Sequence, residues 1–253
     1  MIDMDPRITI VTVSRNCVNE IERTLLSVLN QDYPNLEYIV VDGHSTDGTL
    51  EVIQSYRDRI SQLVSEPDRG VYDAMNKGVR LATGQWCGFM NAGDWYTDHH
   101  SVSALFDGVD ADGSLRVVYG NTDYLYRDGH RALHPTASLE RLAGIISRYQ
   151  PYTHQAVFYN IADKEDCRYD LRYGIAADYD VACRYWRRYG ISAYRYVPLT
   201  VCTYKAYDGI SSDPSRERQL QKERLLIKIR NRMSCAEILK DTVRCICHEK
   251  NRE

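Results

Sequence analysis

Three short acidic stretches hold the side chains best suited to chemistry. The stretch "FMNAGDWY" (89–96) places Asn91, Gly93 and Asp94 where a run of apolar residues ends. "VVDGHSTDGT" (40–49) contains Asp42 in a similar position, and "AADYD" (176–180) carries two further carboxylates. Carboxylate and amide oxygens are the ligands that hard divalent cations take in proteins. A strand that ends in such residues is therefore a candidate site for a metal-bound, anionic ligand.

The sequence lacks the two common glycine-rich phosphate-binding motifs. The segment after the first apolar run, "VSRNCVNE" (13–20), contains no glycine, so the GxGxxG turn of dinucleotide-binding folds is absent. The phosphate loop GxxxxGK followed by Ser or Thr is absent as well. The usual substitute is a divalent cation held by carboxylates, and Asp94 is the candidate ligand.

Strand-like and helix-like segments alternate through the first half of the chain. The β-branched run "ITIVTV" (8–13) suits a strand buried on both faces, and the apolar residues that follow it, at 18, 21, 25 and 28, recur at helical spacing. The same order begins again near residues 37, 60 and 86. This alternation predicts a mostly parallel sheet flanked by helices, with right-handed crossovers.

Such a sheet brings polar strand ends to one edge. Asp42 ends the second predicted strand, Asp68 follows the third, and Asn91 and Asp94 follow the fourth. Ligands of parallel sheets bind beyond the carboxyl ends of the strands. A lone aspartate after a strand is commonly a turn or cap residue. The convergence of several such residues favours a binding site.

Composition limits the classes of protein and partner. The 253 residues, 43% of them hydrophobic, suffice for one large α/β domain, and a net charge of -3 gives no reason to expect a nucleic-acid partner. The longest apolar runs are far shorter than the roughly 20 residues that span a bilayer. The start, "MIDMDPR", lacks the pattern of a secretory leader, so we expect a cytoplasmic protein. The eight cysteines are then expected to be free thiols.

A series of ordered blocks identifies a family. The blocks read "ITIVTVSRN", "TLLSVLNQDYPNLEYIVVDGHSTDGT", "SEPDRGVYDAMNKGVRLATG", "FMNAGDW", "HQAVFY" and "RYDLRYGIAADYDVACR". The sequence resembles the family 2 glycosyltransferases with the GT-A fold, and most closely the bacterial exopolysaccharide transferases of the colanic-acid type. The resemblance implies an α/β fold with a mostly parallel sheet and a hexosyltransferase-like activity. It covers about residues 7–212, so we expect a GT-A domain over 1–212, with a donor half to about residue 120 and an acceptor half from 121.

The resemblance assigns donor-binding roles in the first half. It implies that Asp42 lies near the base and ribose of a nucleotide-diphosphate sugar, such as a UDP- or GDP-sugar. It places Asp68 and Arg69, together with Asn76 and Lys77 on the following helix, along the nucleotide and donor region. These residues are therefore predicted to bind the donor.

The metal motif departs from the family pattern. Many relatives of this kind carry DxDD after the fourth strand, whereas the four positions here are Asn91, Ala92, Gly93 and Asp94. The resemblance implies that Asp94 binds Mn²⁺ or Mg²⁺ directly. Asn91 can offer a neutral oxygen to the metal or to the ribose. Two carboxylates are missing, so the identity of the metal stays open.

The second half carries the predicted acceptor side. The resemblance matches Asp178 to the catalytic base, which removes the proton of the acceptor hydroxyl. Asp180 ranks second, because it points elsewhere if the segment is helical. His154 lies in a region that faces donor and acceptor in the relatives, which predicts sugar or diphosphate binding. For both Asp178 and His154 a purely structural role, as a helix cap or a satisfied polar group, stays open.

The last forty residues differ from the rest. Residues 213–253 combine an excess of Lys and Arg with apolar residues at near-helical spacing, which predicts a basic amphipathic helical tail. Such a helix can lie on an anionic membrane surface, where lipid-linked acceptors would be found. The alternative is a packing helix or the interface of a homodimer.

These observations predict an inverting, metal-dependent glycosyltransferase of the cytoplasm, peripheral on the membrane if the tail binds lipid. It moves a sugar from a nucleotide-diphosphate donor to a hydroxyl of a growing bacterial polysaccharide or lipid-linked oligosaccharide. One alternative is a sugar-nucleotide nucleotidyltransferase, although its glycine-rich activating loop is missing. The other is a non-catalytic sugar-nucleotide or glycan-binding protein, which the reduced metal motif suggests.

Overall fold

The computed structural model describes residues 5–109, 113–134, 136–207, 209 and 213–250, and only the backbone of 243–250. Within these ranges the strands are Ile8–Ser14 (β1), Leu36–Asp42 (β2), Gln62–Ser65 (β3), Trp86–Phe89 (β4), Trp95–Tyr96 (β5), Val117–Leu125 (β6), Arg131–His134 (β7), Val157–Asn160 (β8) and Tyr194–Lys205 (β9). The helices are Ile21–Leu29 (α1), Thr49–Gln54 (α2), Val71–Leu81 (α3), Ser101–Phe106 (α4), Leu139–Ile146 (α5), Ala177–Tyr189 (α6), Glu217–Arg230 (α7) and Cys235–Lys250 (α8).

The strands form one sheet in the order β3-β2-β1-β4-β8-β6-β9-β5, with β7 paired to β6. The first four strands of this order are parallel, as the alternation predicts. Strand β8 enters between β4 and β6 in the opposite direction, so its pairings with both are antiparallel. Strands β6 and β9 are parallel, and β5 and β7 add antiparallel edges. The whole sheet is therefore mixed, and the predicted parallel arrangement describes its first half.

Both faces of the sheet are buried. Successive side chains of a strand point to opposite sides, so one strand contributes to two hydrophobic clusters. In β1, Ile8 and Ile10 belong to one hydrophobic cluster, whereas Val11 and Val13 belong to the other. Helix α1 covers the first cluster and α3 covers the second. This double cover fixes the carboxyl ends of the parallel strands, where the site residues follow.

The tail is two helices, and the first of them is part of the folded domain. Leu220 and Ile227 of α7 are buried in the cluster that also contains α6 side chains. Lys228, also buried, donates to Asp241 of α8 at 2.6 Å. Among the tail side chains that the structure describes, the large apolar ones of Leu226, Ile229 and Leu239 are exposed. The inner face of α7 therefore packs against the domain, as the alternative of a packing helix predicts.

The predicted boundary at residue 212 falls among residues 210–212, which lie outside the described residues. Among the residues that the structure describes, no helix combines the length and apolar character needed to cross a bilayer.

Candidate functional site

Asp42 lies at the carboxyl end of β2 and is buried among hydrogen bonds. It accepts from the hydroxyl groups of Ser14 (3.2 Å), Ser65 (2.8 Å) and Ser45, and from the backbone N–H of Ser45 (3.0 Å). These bonds tie the ends of β1, β2 and β3 together. Asp68 lies against the backbone that follows Asp42. The structure thus brings these two predicted residues together, and their contact with a donor stays a prediction.

Asn76 and Lys77 do not line the cavity that contains Asp94 and Asp178. Asn76 is buried and its amide bonds the backbone of Tyr169 twice, donating at 2.9 Å and accepting at 2.8 Å. These two bonds fix Asn76 to the backbone of Tyr169, and its role in donor binding stays a prediction. Lys77 pairs with Glu66 at 2.9 Å and donates to the carbonyl of Pro67 at 2.8 Å. Its role in donor binding stays a prediction.

Four other predicted residues line one cavity of about 740 Å³. They are Asn91 and Asp94 after β4, His154 just before β8, and Asp178 in the first turn of α6. The antiparallel pairing of β4 and β8 brings the carboxyl end of one strand beside the amino end of the other. Residues far apart in the sequence therefore meet at one place.

Asp94 is held by a tight turn and by two donors. Its carboxylate accepts from the backbone N–H of Lys205 (2.8 Å) and from the side-chain amide of Gln155. Gly93 has φ +101, a left-handed conformation that other residues rarely adopt. The Thr24 hydroxyl accepts from the Gly93 N–H and donates to the Asp94 carbonyl. Burial raises the pKa of the Asp94 carboxyl to about 7.

Asn91, His154 and Asp178 form a line of polar contacts. The Asn91 amide nitrogen lies 2.9 Å from His154 Nε2. Since the amide donates, Nε2 accepts, and the ring proton is on Nδ1, which lies 4.0 Å from the Asp178 carboxylate. Burial lowers the pKa of His154 to about 4, so the imidazole is neutral near pH 7. At 4.0 Å the ring makes no hydrogen bond to Asp178, and because it is neutral it does not compensate the charge of that carboxylate.

Asp178, in the first turn of α6, lies near α3 and α7. It accepts from the backbone N–H of Tyr179 at 2.9 Å and lies 3.5 Å from the Tyr72 hydroxyl. Burial raises the pKa of Asp178 to about 6, against the opposing effects of the Tyr179 N–H and the positive charge of Arg224. A carboxyl group with a pKa near neutrality is suited to accept and release a proton.

Asp180 points away from the cavity, as the helical spacing predicts. It is buried, pairs with Arg184 at 3.0 Å and accepts from the Asn231 amide at 2.9 Å. Asp180 therefore joins α6 to the end of α7 and does not face the Asp178 site.

The residues around Asp94 fit a hard divalent cation. Among the described side chains, Asn91 Oδ1 and Gln155 Oε1 are buried oxygens without a hydrogen-bond partner. Unpaired buried oxygens are costly unless another ligand satisfies them. The carboxylate oxygens of Asp94 also keep unused lone pairs. One carboxylate with two neutral oxygens is an all-oxygen donor set of the kind that Mg²⁺ and Mn²⁺ take.

Three residues of this site were not predicted from the sequence. Gln155 directly follows His154 in the block "HQAVFY", so its neighbour offered a signal. Tyr72 and Arg224 offered none, because they reach Asp178 only through the packing of α3 and α7.

Comparison with known proteins gives the family. Residues 9–172 match the family described as "Glycosyl transferase family 2", which is more than half of the chain. The chain belongs to this family. The prediction of a glycosyltransferase is thereby confirmed. The "PGL/p-HBAD biosynthesis glycosyltransferase" of Mycobacterium bovis (strain BCG / Pasteur 1173P2) is 29% identical over 211 residues, which cover 82% of this chain and 80% of the relative.

Two groups of solved structures have the same fold. S. aureus TarS 1–349 in complex with UDP-GlcNAc has a TM-score of 0.67 at 16% identity and covers 95% of this chain and 71% of its own. The chain spans 43% of a longer TarS structure. The mannosyltransferase PcManGT from Pyrobaculum calidifontis, in complex with GDP-Man and Mn²⁺, has a TM-score of 0.66 at 20% identity, with coverages of 94% and 69%.

At these identities the likeness concerns the fold alone, and the predicted GT-A fold is confirmed. The closer resemblance to transferases of the colanic-acid type stays a prediction.

Proposed function

We propose that this family 2 glycosyltransferase is an inverting, metal-dependent enzyme of bacterial polysaccharide or lipid-linked oligosaccharide synthesis. The observation that carries the proposal is that one cavity is lined by Asp94, by Asn91 and Gln155 with their unsatisfied oxygens, and by Asp178. A UDP- or GDP-sugar is the proposed donor, because proteins of the same fold are bound to UDP-GlcNAc and to GDP-Man. The name of the mycobacterial relative, a biosynthesis glycosyltransferase, agrees with a biosynthetic role.

The donor side of the proposal rests on Asp94. Asp94 and Asn91 would hold Mn²⁺ or Mg²⁺, while the Gln155 and Lys205 N–H groups orient the Asp94 carboxylate. When bound, such a cation offsets the negative charge of the donor diphosphate. Asp42, at the end of β2, is proposed to lie on the nucleoside side.

The acceptor side rests on Asp178. The proton of the acceptor hydroxyl moves to the Asp178 carboxylate as the acceptor oxygen bonds to the anomeric carbon of the donor. The bond from that carbon to the diphosphate oxygen breaks, and its electron pair leaves with the diphosphate. Because this is one direct displacement, the anomeric configuration inverts. His154, with Nδ1 at 4.0 Å from this carboxylate, is neutral near pH 7 and leaves the negative charge of Asp178 uncompensated.

An aromatic cluster that lines the same cavity suits a glycan acceptor. Tyr124 stacks on the His134 ring with 3.9 Å between centroids, and Tyr204 meets Tyr124 edge-on at 5.2 Å. All three line the cavity. Aromatic faces with polar groups at their edges are suited to sugar rings. We propose that these three aromatic side chains bind the acceptor saccharide.

Calorimetry and turnover of Asp94→Asn test the proposal. The wild type is expected to bind UDP or GDP more tightly with Mn²⁺ and to release that nucleotide from UDP-GlcNAc or GDP-mannose. Asp94→Asn should lose the Mn²⁺ stimulation and keep its melting temperature within a few degrees, because the substitution preserves size. The exposed Asp58→Asn is the control. Unchanged Mn²⁺ stimulation in Asp94→Asn would remove this residue from the metal site. Tight binding without turnover would favour the non-catalytic alternative.

A further inference from the structure

The segment that leads into α6, the helix that carries Asp178, is held by a side chain of another helix. The residue before the helix is Ala176, which has no side chain able to accept a hydrogen bond. The first N–H groups at a helix start need acceptors from elsewhere. Glu223 of α7 holds the segment directly before these groups, since its buried carboxylate accepts from the N–H groups of Gly174 at 2.8 Å and of Ile175 and the N-cap residue Ala176 at 2.9 Å each.

These three bonds immobilise the segment that leads into Asp178. The carbonyl of Ile175 accepts from the Tyr72 hydroxyl at 2.5 Å, and the same hydroxyl lies 3.5 Å from Asp178. Glu223, Ile175, Tyr72 and Asp178 are therefore linked by direct contacts. Hydrogen bonds from several N–H groups to one carboxylate are stronger than bonds between neutral groups. The position of Asp178 thus depends on a side chain that enters from the tail.

Arg224 of α7 and Asn231, the residue that follows the helix, act on the same turn. Arg224, next to Glu223, lines the cavity, and its positive charge favours the ionised form of Asp178. Asn231, at the carboxyl end of α7, donates to Asp180 at 2.9 Å. Helix α7 therefore contacts the chain on both sides of Asp178.

We propose that α7 is part of the catalytic site, with Glu223 as the positioning residue of Asp178. This inference rests on the proposed role of Asp178 as the base. It assigns the first helix of the tail to catalysis, whether or not the tail also contacts a membrane.

Glu223→Gln is the test of positioning. The amide keeps the size of the side chain but places an NH₂ group against backbone donors, so fewer than three bonds can form. We expect the turnover of UDP-GlcNAc or GDP-mannose with Mn²⁺ to fall by about tenfold to a hundredfold, because a small misplacement of a reacting group has an effect of this size. The dissociation constant for UDP or GDP should be unchanged. Glu217→Gln, a more exposed position on the same helix, is the control.

Two readouts separate positioning from general stability. In the Asp178→Asn background, Glu223→Gln should cause no further loss of turnover, since it acts through the missing base. Amide hydrogen exchange of residues 174–178 should accelerate in Glu223→Gln, while the rest of α6 keeps its wild-type rates. Unchanged exchange of this segment overturns the inference even if no turnover is detected. A uniform rise in exchange over the whole domain, with equal losses in both backgrounds, also overturns it.

Different results would contradict the role of Asp178 as the base and the role of α7 in positioning it. If Asp178→Asn retains near-normal turnover, the proposed base is wrong. If Asp178→Asn loses turnover whereas Glu223→Gln resembles the control in turnover and exchange, only the role of α7 is wrong.

Discussion

Asp178 is a partly buried carboxylate whose hydrogen bonds survive replacement by asparagine. In Asp178→Asn the side-chain oxygen can still accept from the Tyr179 N–H, so the helix start should remain intact. The basicity is lost, and general-base catalysis contributes typically about 10²- to 10⁴-fold. We expect the maximal rate to fall by that factor with donor affinity unchanged, measured by steady-state kinetics and calorimetry. Near-normal turnover would place the base elsewhere.

The same carboxyl group determines the expected pH dependence. Burial raises the pKa of Asp178 to about 6, and a general base works only in its deprotonated form. At saturating Mn²⁺, where the proposed metal ligand Asp94 is ionised, the maximal rate should therefore be level above about pH 7 and fall tenfold per pH unit below the pKa of about 6. His154, with its pKa lowered to about 4, stays neutral over that range. A pH-rate profile that is flat down to pH 5 would contradict this assignment.

Asp180 is expected to affect stability and to leave catalysis unchanged. Asp180→Asn removes the negative charge that pairs with Arg184 in a buried position. A hydrogen bond to a charged group contributes about 1.5 to 3 kcal/mol, so the free energy of unfolding should fall by about that amount. Denaturant unfolding measures the loss, and turnover per folded molecule should stay normal. Asp163→Asn, whose ion pair with Arg188 is exposed, is the control and should cost less than about 1 kcal/mol.

At the scale of elements, the tail presents two different faces. The inner face of α7 holds Leu220 and Ile227 in the core, whereas Leu226, Ile229 and Leu239 are exposed. Exposed apolar side chains among Lys and Arg residues are typical of helices that bind anionic membranes. We therefore expect the protein to bind vesicles that contain phosphatidylglycerol, and the binding to weaken as salt increases.

Serine at these three exposed positions tests that expectation. The triple variant should keep its melting temperature, because the side chains contribute little to the core, and should no longer sediment with the vesicles. Equal sedimentation of the variant and the wild type would contradict membrane contact through this face. Conversion of a dimer to a monomer in light scattering would instead identify a homodimer interface.

At the scale of the whole molecule, Glu37 joins β1, β2 and the segment after α3. It accepts from the Thr9 hydroxyl (2.6 Å), from the N–H and hydroxyl of Thr83 (2.7 Å each) and from Arg7 (3.3 Å). Burial favours the protonated carboxyl, but these bonds outweigh it and hold the pKa of Glu37 below its usual value. The resulting stabilisation is present above the pKa of the unfolded chain and is lost as the pH falls through the lower folded value.

Glu37→Gln should therefore destabilise the protein in a pH-dependent way. We expect a loss of about 1.5 to 3 kcal/mol in the free energy of unfolding at pH 7, because charge-assisted hydrogen bonds are lost. The difference from the wild type should shrink as the pH falls below about 4.5, where the unfolded carboxyl becomes protonated. Urea unfolding at pH 7 and pH 3.5 measures both values. A difference that is independent of pH would show that packing, and not the charge, accounts for the effect.

Local patterns were sufficient to predict the first half of the fold. Runs such as "ITIVTV" form strands, and Asn91 and Asp94 follow a strand end as expected, because strand and helix periodicity depends on consecutive residues. The entry of β8 between β4 and β6 had no such signal. Neighbouring residues do not record which distant strand will pair with them, so a mixed sheet could not be distinguished from a parallel one.

The sequence by itself determined the family, the α/β class and which carboxylates could serve as metal ligand and base. The tertiary structure decided how those residues are used. In the folded chain the Asn76 amide is bonded to the backbone of Tyr169, and Asp180 faces the carboxyl end of α7. It also brought Glu223 to the start of α6. The physical reason is that a side chain's type sets the chemistry open to it, whereas burial and contacts between distant elements, which no local pattern encodes, select the partner it meets.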